Sequence, residues 1–241
     1  MGEVDSRCRF TRNAVSDEVS AARRWASYAW SENHVDGESL RIIDRFLELP
    51  LVYRVWQKPF VEDKLRPLLE TGEIARARRV LDVGCGPGTN TPYFTASDYL
   101  GIDINPAYID DATRKYGRRF IVADVTEYSA SHEGEFDFIL VNSMLHHIDP
   151  PGVRRLLSHI ATLVSDDGFV HVLDIVLPPE RFTPAGILAR MDRGDHPRPI
   201  SELEALVEDS LEIVSSAAYP LSLNKTALWQ FAYFKCRPRK K

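Results

Sequence analysis

Three cysteines in 241 residues, Cys8, Cys85 and Cys236, stand at no spacing that a metal site or a disulfide framework would use. Sparse thiols of this kind fit a reducing compartment, so a cytoplasmic location is the expectation. The chain also lacks any apolar run near the roughly 20 residues that a bilayer-crossing helix needs. Its first residues, Met1-Gly2-Glu3-Val4-Asp5, carry no apolar signal core. No membrane span is therefore expected. Nor is there a basic excess: 30 lysines and arginines face 35 aspartates and glutamates, a formal net charge of −5. Nucleic-acid binding depends on clustered cations, so no nucleic-acid partner is expected. The basic end Arg237-Pro238-Arg239-Lys240-Lys241 reads as a solvated tail. Internal repeats and low-complexity segments are missing as well.

What is present is an ordinary globular composition, 44% hydrophobic and 27% charged, in a chain long enough for one substantial core. Residues 1–75 read as a helical extension or lid. Within it Leu40, Ile43, Phe46 and Leu47 recur at helical spacing and stop at Pro50. A second apolar stretch runs from Val52 and Trp56 through Leu65, Leu68 and Leu69, interrupted by Pro59 and Pro67. From residue 76 to 241 the texture is that of a single α/β domain. Short apolar runs at 79–83, 98–102, 119–122, 136–141 and 168–176 alternate with helical patterns. Asn105-Pro106 opens one helix, with Ile109, Ala112 and Tyr116 on one face and Gly117 as its stop. Asp149-Pro150-Pro151 opens another, and Ser201-x-x-Glu204 has the form of a capping box. Strands alternating with helices imply parallel pairing through right-handed crossovers. Two final strand-like runs, near 211–219 and 227–236, imply an antiparallel hairpin at the sheet edge.

The most informative segment is Val80-Leu81-Asp82-Val83-Gly84-Cys85-Gly86-Pro87-Gly88, a buried strand entering a turn with glycine at alternate positions. Missing side chains let backbone approach a ligand closely, and the following N–H groups face the pocket. In open parallel sheets that pocket lies beyond the carboxyl ends of the strands. About 20 residues on, Asp103 ends a second strand, where a carboxylate accepts both hydroxyls of a ribose. Those features alone would also fit a nicotinamide dinucleotide. The spacing, however, is G-x-G-x-G, and Asp82 stands two positions before the first glycine. A pyrophosphate would be repelled by that carboxylate, whereas an ammonium would be attracted.

The run LDVGCGPGTN resembles the first motif of class I S-adenosylmethionine-dependent methyltransferases, and YLGIDINP resembles the second. FIVADV at 120–125 is similar to the third motif, and FDFILVNSMLHHID at 136–149 to the fourth. The resemblance implies a doubly wound, mostly parallel seven-stranded sheet and S-adenosyl-L-methionine as cofactor. It further implies that Gly84, Cys85, Gly86 and Gly88 line the cofactor's amino acid and ribose. Asp82 would orient the methionine end, Asp103 would grip the ribose and Ile104 would pack on adenine. Asp124 would accept from the adenine amino group, with a helix cap as its other reading, while the Val125 N–H reaches a ring nitrogen. Asn142 would offer its carbonyl to the ammonium.

Methyl transfer from a sulfonium needs a base only when the nucleophile carries a proton that must leave. His146 and His147, just past the fourth strand, are the candidates for that base. His171 lies inside a strand and reads as a satisfied core group. His196, in a long polar connection, reads as part of a lid or binding loop. No metal is expected. The fourth motif here is Asn142-Ser143-Met144-Leu145, without the Asn-Pro-Pro-Tyr run of enzymes that methylate exocyclic base nitrogens. The expected partner is thus a small-molecule acceptor, a saccharide or secondary-metabolite hydroxyl or amine. An RNA or protein methyltransferase and a non-catalytic nucleotide-binding module are the alternatives.

Overall fold

The apolar runs form one seven-stranded sheet in the computed structural model, which describes residues 60–179, 183, 185–186, 196–223 and 226–239. The helical patterns before residue 60 and most of the connection that follows the fifth strand lie outside the described residues. The strands are β1 (Arg79–Val83), β2 (Asp98–Asp103), β3 (Arg119–Val122), β4 (Phe136–Asn142), β5 (Val164–Val176), β6 (Leu211–Leu223) and β7 (Thr226–Pro238). They run in the order β3-β2-β1-β4-β5-β7-β6. The first five pair in parallel, and β7 is antiparallel to both β5 and β6. The expected mostly parallel sheet with an antiparallel edge hairpin is what forms. The last strand inserts between β5 and β6, so β6 becomes the edge.

The described helices are α1 (Val61–Glu70), α2 (Glu73–Arg76), α3 (Pro106–Tyr116), α4 (Val125–Tyr128), α5 (Pro150–Leu163) and α6 (Ile200–Glu208). Two begin as their sequences imply. The Asn105 side chain accepts from the N–H of Ala107 at 2.9 Å, and Asp149 accepts from that of Gly152 at 2.9 Å. Each cap is followed by proline at the first helical position, where a missing N–H costs nothing. Gly117, at φ 59°, ends α3.

Two expectations need correction. The capping box at Ser201 does not form: α6 starts at Ile200, with Pro199 at the cap and no side-chain bond. Pro199 is held by a bridge to Leu177, and burial of Leu203, Leu206 and Val207 fixes the helix rotation, so Ser201 falls inside the first turn. Pro67 does not interrupt its helix either, and α1 runs through it to Glu70. The lost hydrogen bond is outweighed by packing, since Leu65 and Leu68 on either side are wholly buried.

Side chains alternate across the sheet and so feed two cores. Leu81, Val83, Ile139 and Val141 join Leu157 and Ile160 of α5 and Leu206 of α6 on one face. Val80, Tyr99, Phe138 and Leu140 join Phe60, Leu65 and Leu68 of α1, with Trp229 and Phe231, on the other. Asp82, of the same parity as Val80, belongs to this second face. Leu157 is completely buried under the first face. Leu157→Ala should lower unfolding free energy by about 2–5 kcal/mol in urea titrations at unchanged m-value. A loss below about 1 kcal/mol would mean that α5 is not part of the cooperative core.

Candidate active site

The chain leaves β1 through a turn that only glycine adopts without strain. Gly84, Gly86 and Gly88 hold φ between 54° and 75°. Space is as restrictive as conformation. A Cβ at Gly84 would stand 2.8 Å from Met144 Sδ, and one at Gly88 would stand 2.9 Å from the Tyr116 ring. Cys85 turns its side chain inward, 2% exposed, toward Gly101 of β2, so its backbone borders the cleft. A cleft lies between α1, this turn and the end of β4.

The carboxylates expected to bind lie along the carboxyl edge in strand order. Asp103 ends β2, where its Oδ2 accepts from Gly86 N at 2.8 Å and its Oδ1 from Asn105 N at 2.8 Å. Burial raises its pKa while these backbone N–H groups pull it down. Each oxygen keeps a second lone pair for a ligand. Ile104 beside it is 41% exposed, an apolar side chain standing at the rim. Asp124 follows β3 and caps α4, accepting from Thr126 N and Thr126 Oγ1, both at 2.8 Å through Oδ1. The helix-cap reading is therefore correct, and Oδ2 remains available to a ligand. Val125 begins α4, so its N–H has no helical partner.

Asp82 differs from both. It is wholly enclosed, and burial pushes its pKa up to about 7 despite hydrogen bonds from Tyr99 Oη at 2.8 Å and Asn90 Nδ2 at 3.2 Å. From Asp82 a chain of side chains crosses the cleft floor. Asn142 Nδ2 donates to Asn90 Oδ1 at 3.2 Å, Ser143 Oγ donates to Asn142 Oδ1 at 2.9 Å, and Lys64 Nζ donates to Ser143 Oγ at 3.0 Å. Ser143 adopts φ 57°, the one non-glycine residue in the left-handed region among the described residues.

Past β4, His146 is 4% exposed and held twice by Asp174 at the end of β5. Its N–H reaches Oδ2 at 2.9 Å, and Nδ1 lies 2.5 Å from Oδ1. His147 is exposed, with its ring centroid 4.1 Å from that of His146. The N–H of His196 bonds the His146 carbonyl at 2.9 Å, which ties the later connection to this turn. His171 is buried elsewhere, against Phe138 and the Tyr233 hydroxyl, and its pKa falls to about 3 through burial and the nearby Lys235 charge. Its Nε2 lacks a hydrogen-bond partner among the described residues, so the expected satisfied core histidine is only half satisfied. No cluster of three or more His, Cys, Asp or Glu side chains suited to a metal occurs among the described residues, and none of the described helices is long and apolar enough to cross a membrane.

The structure therefore brings Asp82, Gly84, Cys85, Gly86, Gly88, Asp103, Ile104, Asp124, Val125, Asn142, His146 and His147 to one edge of the sheet. Sequence reasoning missed Lys64, Asn90, Tyr99, Ser143 and Asp174. For Lys64 a signal existed: it falls at a core-facing position of α1, among Val61, Leu65 and Leu68. Strand pairing brings Tyr99 to Asp82 and Asp174 to His146 and left no local pattern, while the glycine turn brings Asn90 to Asp82.

Residues 80–168 match a family model described as a methyltransferase domain. A trans-aconitate 2-methyltransferase from Methylobacterium nodulans is 28% identical over 186 residues, covering 72% of this chain and 69% of that protein. Among solved structures, the 1,6-didemethyltoxoflavin-N1-methyltransferase of Burkholderia thailandensis has a TM-score of 0.60 at 20% identity. That match covers 87% of this chain and 94% of the other. The N-methyltransferase NodS of Bradyrhizobium japonicum also has a TM-score of 0.60, at 16% identity, covering 76% of this chain and 89% of the other. Both were solved with S-adenosylhomocysteine.

The raised pKa of Asp82 has a consequence for stability. Between 3.8, its ordinary value, and about 7 the folded protein keeps the proton that the unfolded chain has released. The contribution of the neutral acid is complete below the lower value and is lost as pH rises through the upper one. Asp82→Asn, which never ionises, should thus be more stable than the parent at pH 8. The advantage should shrink toward pH 5 by up to about 1.4 kcal/mol per pH unit below 7. Urea unfolding at both pH values measures this, and a pH-independent difference would contradict a neutral buried Asp82.

Proposed function

We propose that this chain, a class I S-adenosylmethionine-dependent methyltransferase, moves the methyl group to a hydroxyl or amine of a small acceptor, such as a saccharide or secondary metabolite. The observation that carries the reading is the buried His146–Asp174 pair at the ends of β4 and β5, one strand along from the glycine turn.

The residues present fit the cofactor. The ends of β3, β2, β1 and β4 span three inter-strand spacings, roughly 14 Å, which suits an extended nucleoside joined to an amino acid. In this reading Asp124, through the oxygen its helix cap leaves over, and the Val125 N–H take the adenine edge. Ile104 packs on the ring, and Asp103 accepts from the ribose hydroxyls. Gly84, Gly86 and Gly88, with the Cys85 backbone, line the ribose and amino acid. Asp82, partly through water, and Asn142 face the ammonium. When bound, S-adenosylmethionine supplies a methyl group already activated on a sulfonium. The protein then has to hold the acceptor in line with it and exclude other geometries.

His146 is the base for an acceptor that carries a proton. Asp174 at Nδ1 fixes the tautomer with that nitrogen protonated, which makes Nε2 the basic one, and the carboxylate stabilises the imidazolium that forms. His147, exposed with its ring tilted 40° beside that of His146, is the second candidate. A carboxylate acceptor is a second reading, favoured by Arg198. That side chain is 3% exposed, donates to the Ile148 carbonyl next to the histidine turn, and has a buried Nη1 without a hydrogen-bond partner among the described residues. The relatives named for trans-aconitate act on an acid. An RNA or protein acceptor would call for a basic surface, which a net charge of −5 does not supply.

Asp103→Ala should weaken S-adenosylhomocysteine binding by roughly 1.5–3 kcal/mol in calorimetry while the fold survives. Unchanged affinity would remove Asp103 from the site. With an acceptor found by screening metabolites against labelled cofactor, His146→Asn should lower the single-turnover rate about 10²–10⁴-fold with cofactor affinity nearly constant. The parent's rate should fall at acid pH, and the variant should lose that titration. A full-speed variant would discard the base and favour the carboxylate acceptor. Tight cofactor binding without methyl release to any extract would mean a binding module instead.

A further inference from the structure

Lysine is rarely enclosed in a protein core, because its charge loses hydration there. Lys64 is 6% exposed and occupies a core-facing position of α1, whose other buried residues are Val61, Leu65 and Leu68. An apolar residue at this position would continue the stripe. Several contacts hold the lysine in place instead. The Tyr219 hydroxyl donates to its backbone carbonyl at 2.6 Å, Phe60 packs edge-on against Trp229 one turn earlier, and the ammonium stands 5.3 Å from the centre of the Phe231 ring. The helix is pinned where its one buried cation meets the cleft, which Lys64 lines together with Gly84, Thr89, Asn90, Asn142 and Ser143.

The chain of donors across the cleft floor gives this cation a direction. Lys64 donates to Ser143, Ser143 to Asn142, Asn142 to Asn90, and Asn90 to Asp82. Every dipole in that chain points the same way, from a cationic end on α1 to an acidic end beneath the glycine turn. A ligand laid over it meets positive potential at one end and negative potential at the other. The group that complements such a floor is a zwitterion whose carboxylate and ammonium lie side by side.

We infer that Lys64 recognises the carboxylate of the cofactor's amino acid, and that α1 thereby selects ligands with an intact α-amino acid over the bare nucleoside thioether. The inference rests on the cofactor reading above, and its test separates the two. Calorimetry compares S-adenosylhomocysteine with 5′-methylthioadenosine, which keeps the nucleoside and the thioether but lacks the amino acid. Binding is measured to the unaltered protein, to Lys64→Met and to Lys64→Arg, with thermal melting as a check on folding. Lys64→Met should bind S-adenosylhomocysteine roughly 10- to 100-fold more weakly, as expected for losing a hydrogen bond between charged groups. It should bind methylthioadenosine within a few-fold of the parent. Lys64→Arg should restore most of the preference for the amino acid ligand. Because methionine suits the apolar stripe, the melting temperature of Lys64→Met should not fall. Equal affinity of S-adenosylhomocysteine for parent and Lys64→Met would overturn the inference, and so would an equal loss for both ligands. If Lys64→Met failed to fold, a Lys64→Arg protein with no preference for S-adenosylhomocysteine would overturn it as well. An unaltered protein that bound neither ligand would instead overturn the cofactor reading itself.

Discussion

Asp82 is sealed under the turn that leaves β1, and a carboxyl group in that position must find its hydrogen bonds inside the protein. It takes one from Tyr99 on the neighbouring strand and another from Asn90 just beyond the glycines. Tyr99 can reach it because β2 pairs with β1 in parallel register, Asp82 opposite Gly101, so both side chains come to the same face. Asn90 can reach it because the left-handed glycines fold the chain back over the strand end. Placement of Asn142 depends on Asn90, that of Ser143 on Asn142, and the Lys64 ammonium bonds Ser143. One buried acid thus organises the floor of the cleft from β2 to α1.

That arrangement has a cost, and the cost is informative. Holding Asp82 at a pKa of about 7 means that ionising it opposes folding at neutral pH. In the proposed cofactor reading such an acid suits a cationic group, since the ligand's ammonium would replace the lost hydration. Under the inference drawn for Lys64 the same logic applies across the cleft, where a ligand's carboxylate would provide the compensation.

The histidine turn is built differently. His146 and Asp174 sit at the ends of adjacent parallel strands, where the two side chains meet. The backbone of His196 then fastens the histidine turn to the connection beyond β5. Arg198, two residues on, bonds Ile148 on the far side of the same turn. A single stretch after β5 therefore steadies the histidine from two directions, which suits a group that has to be held in line with a reacting atom.

Much of this was legible from the residues in order. Glycine spacing, the acid two positions before it, Asp103 at a strand end and the proline-led helix starts at Asn105 and Asp149 are local patterns with local causes. They determined the α/β class, the mostly parallel sheet and the edge to which the candidate site residues are carried. Where local pattern and packing disagreed, packing won: α1 continues through Pro67, and α6 begins ahead of its apparent capping box. The partners of the buried charges were beyond the sequence. Tyr99 to Asp82 spans 17 positions, Asp174 to His146 spans 28, and Lys64 to Ser143 spans 79. Sequence by itself determined which groups this protein carries to the sheet's carboxyl edge, because strand and turn preferences act over a few residues. Only the tertiary structure decided which of them touch, because contacts at those separations are set by strand register and helix docking, which no local pattern encodes.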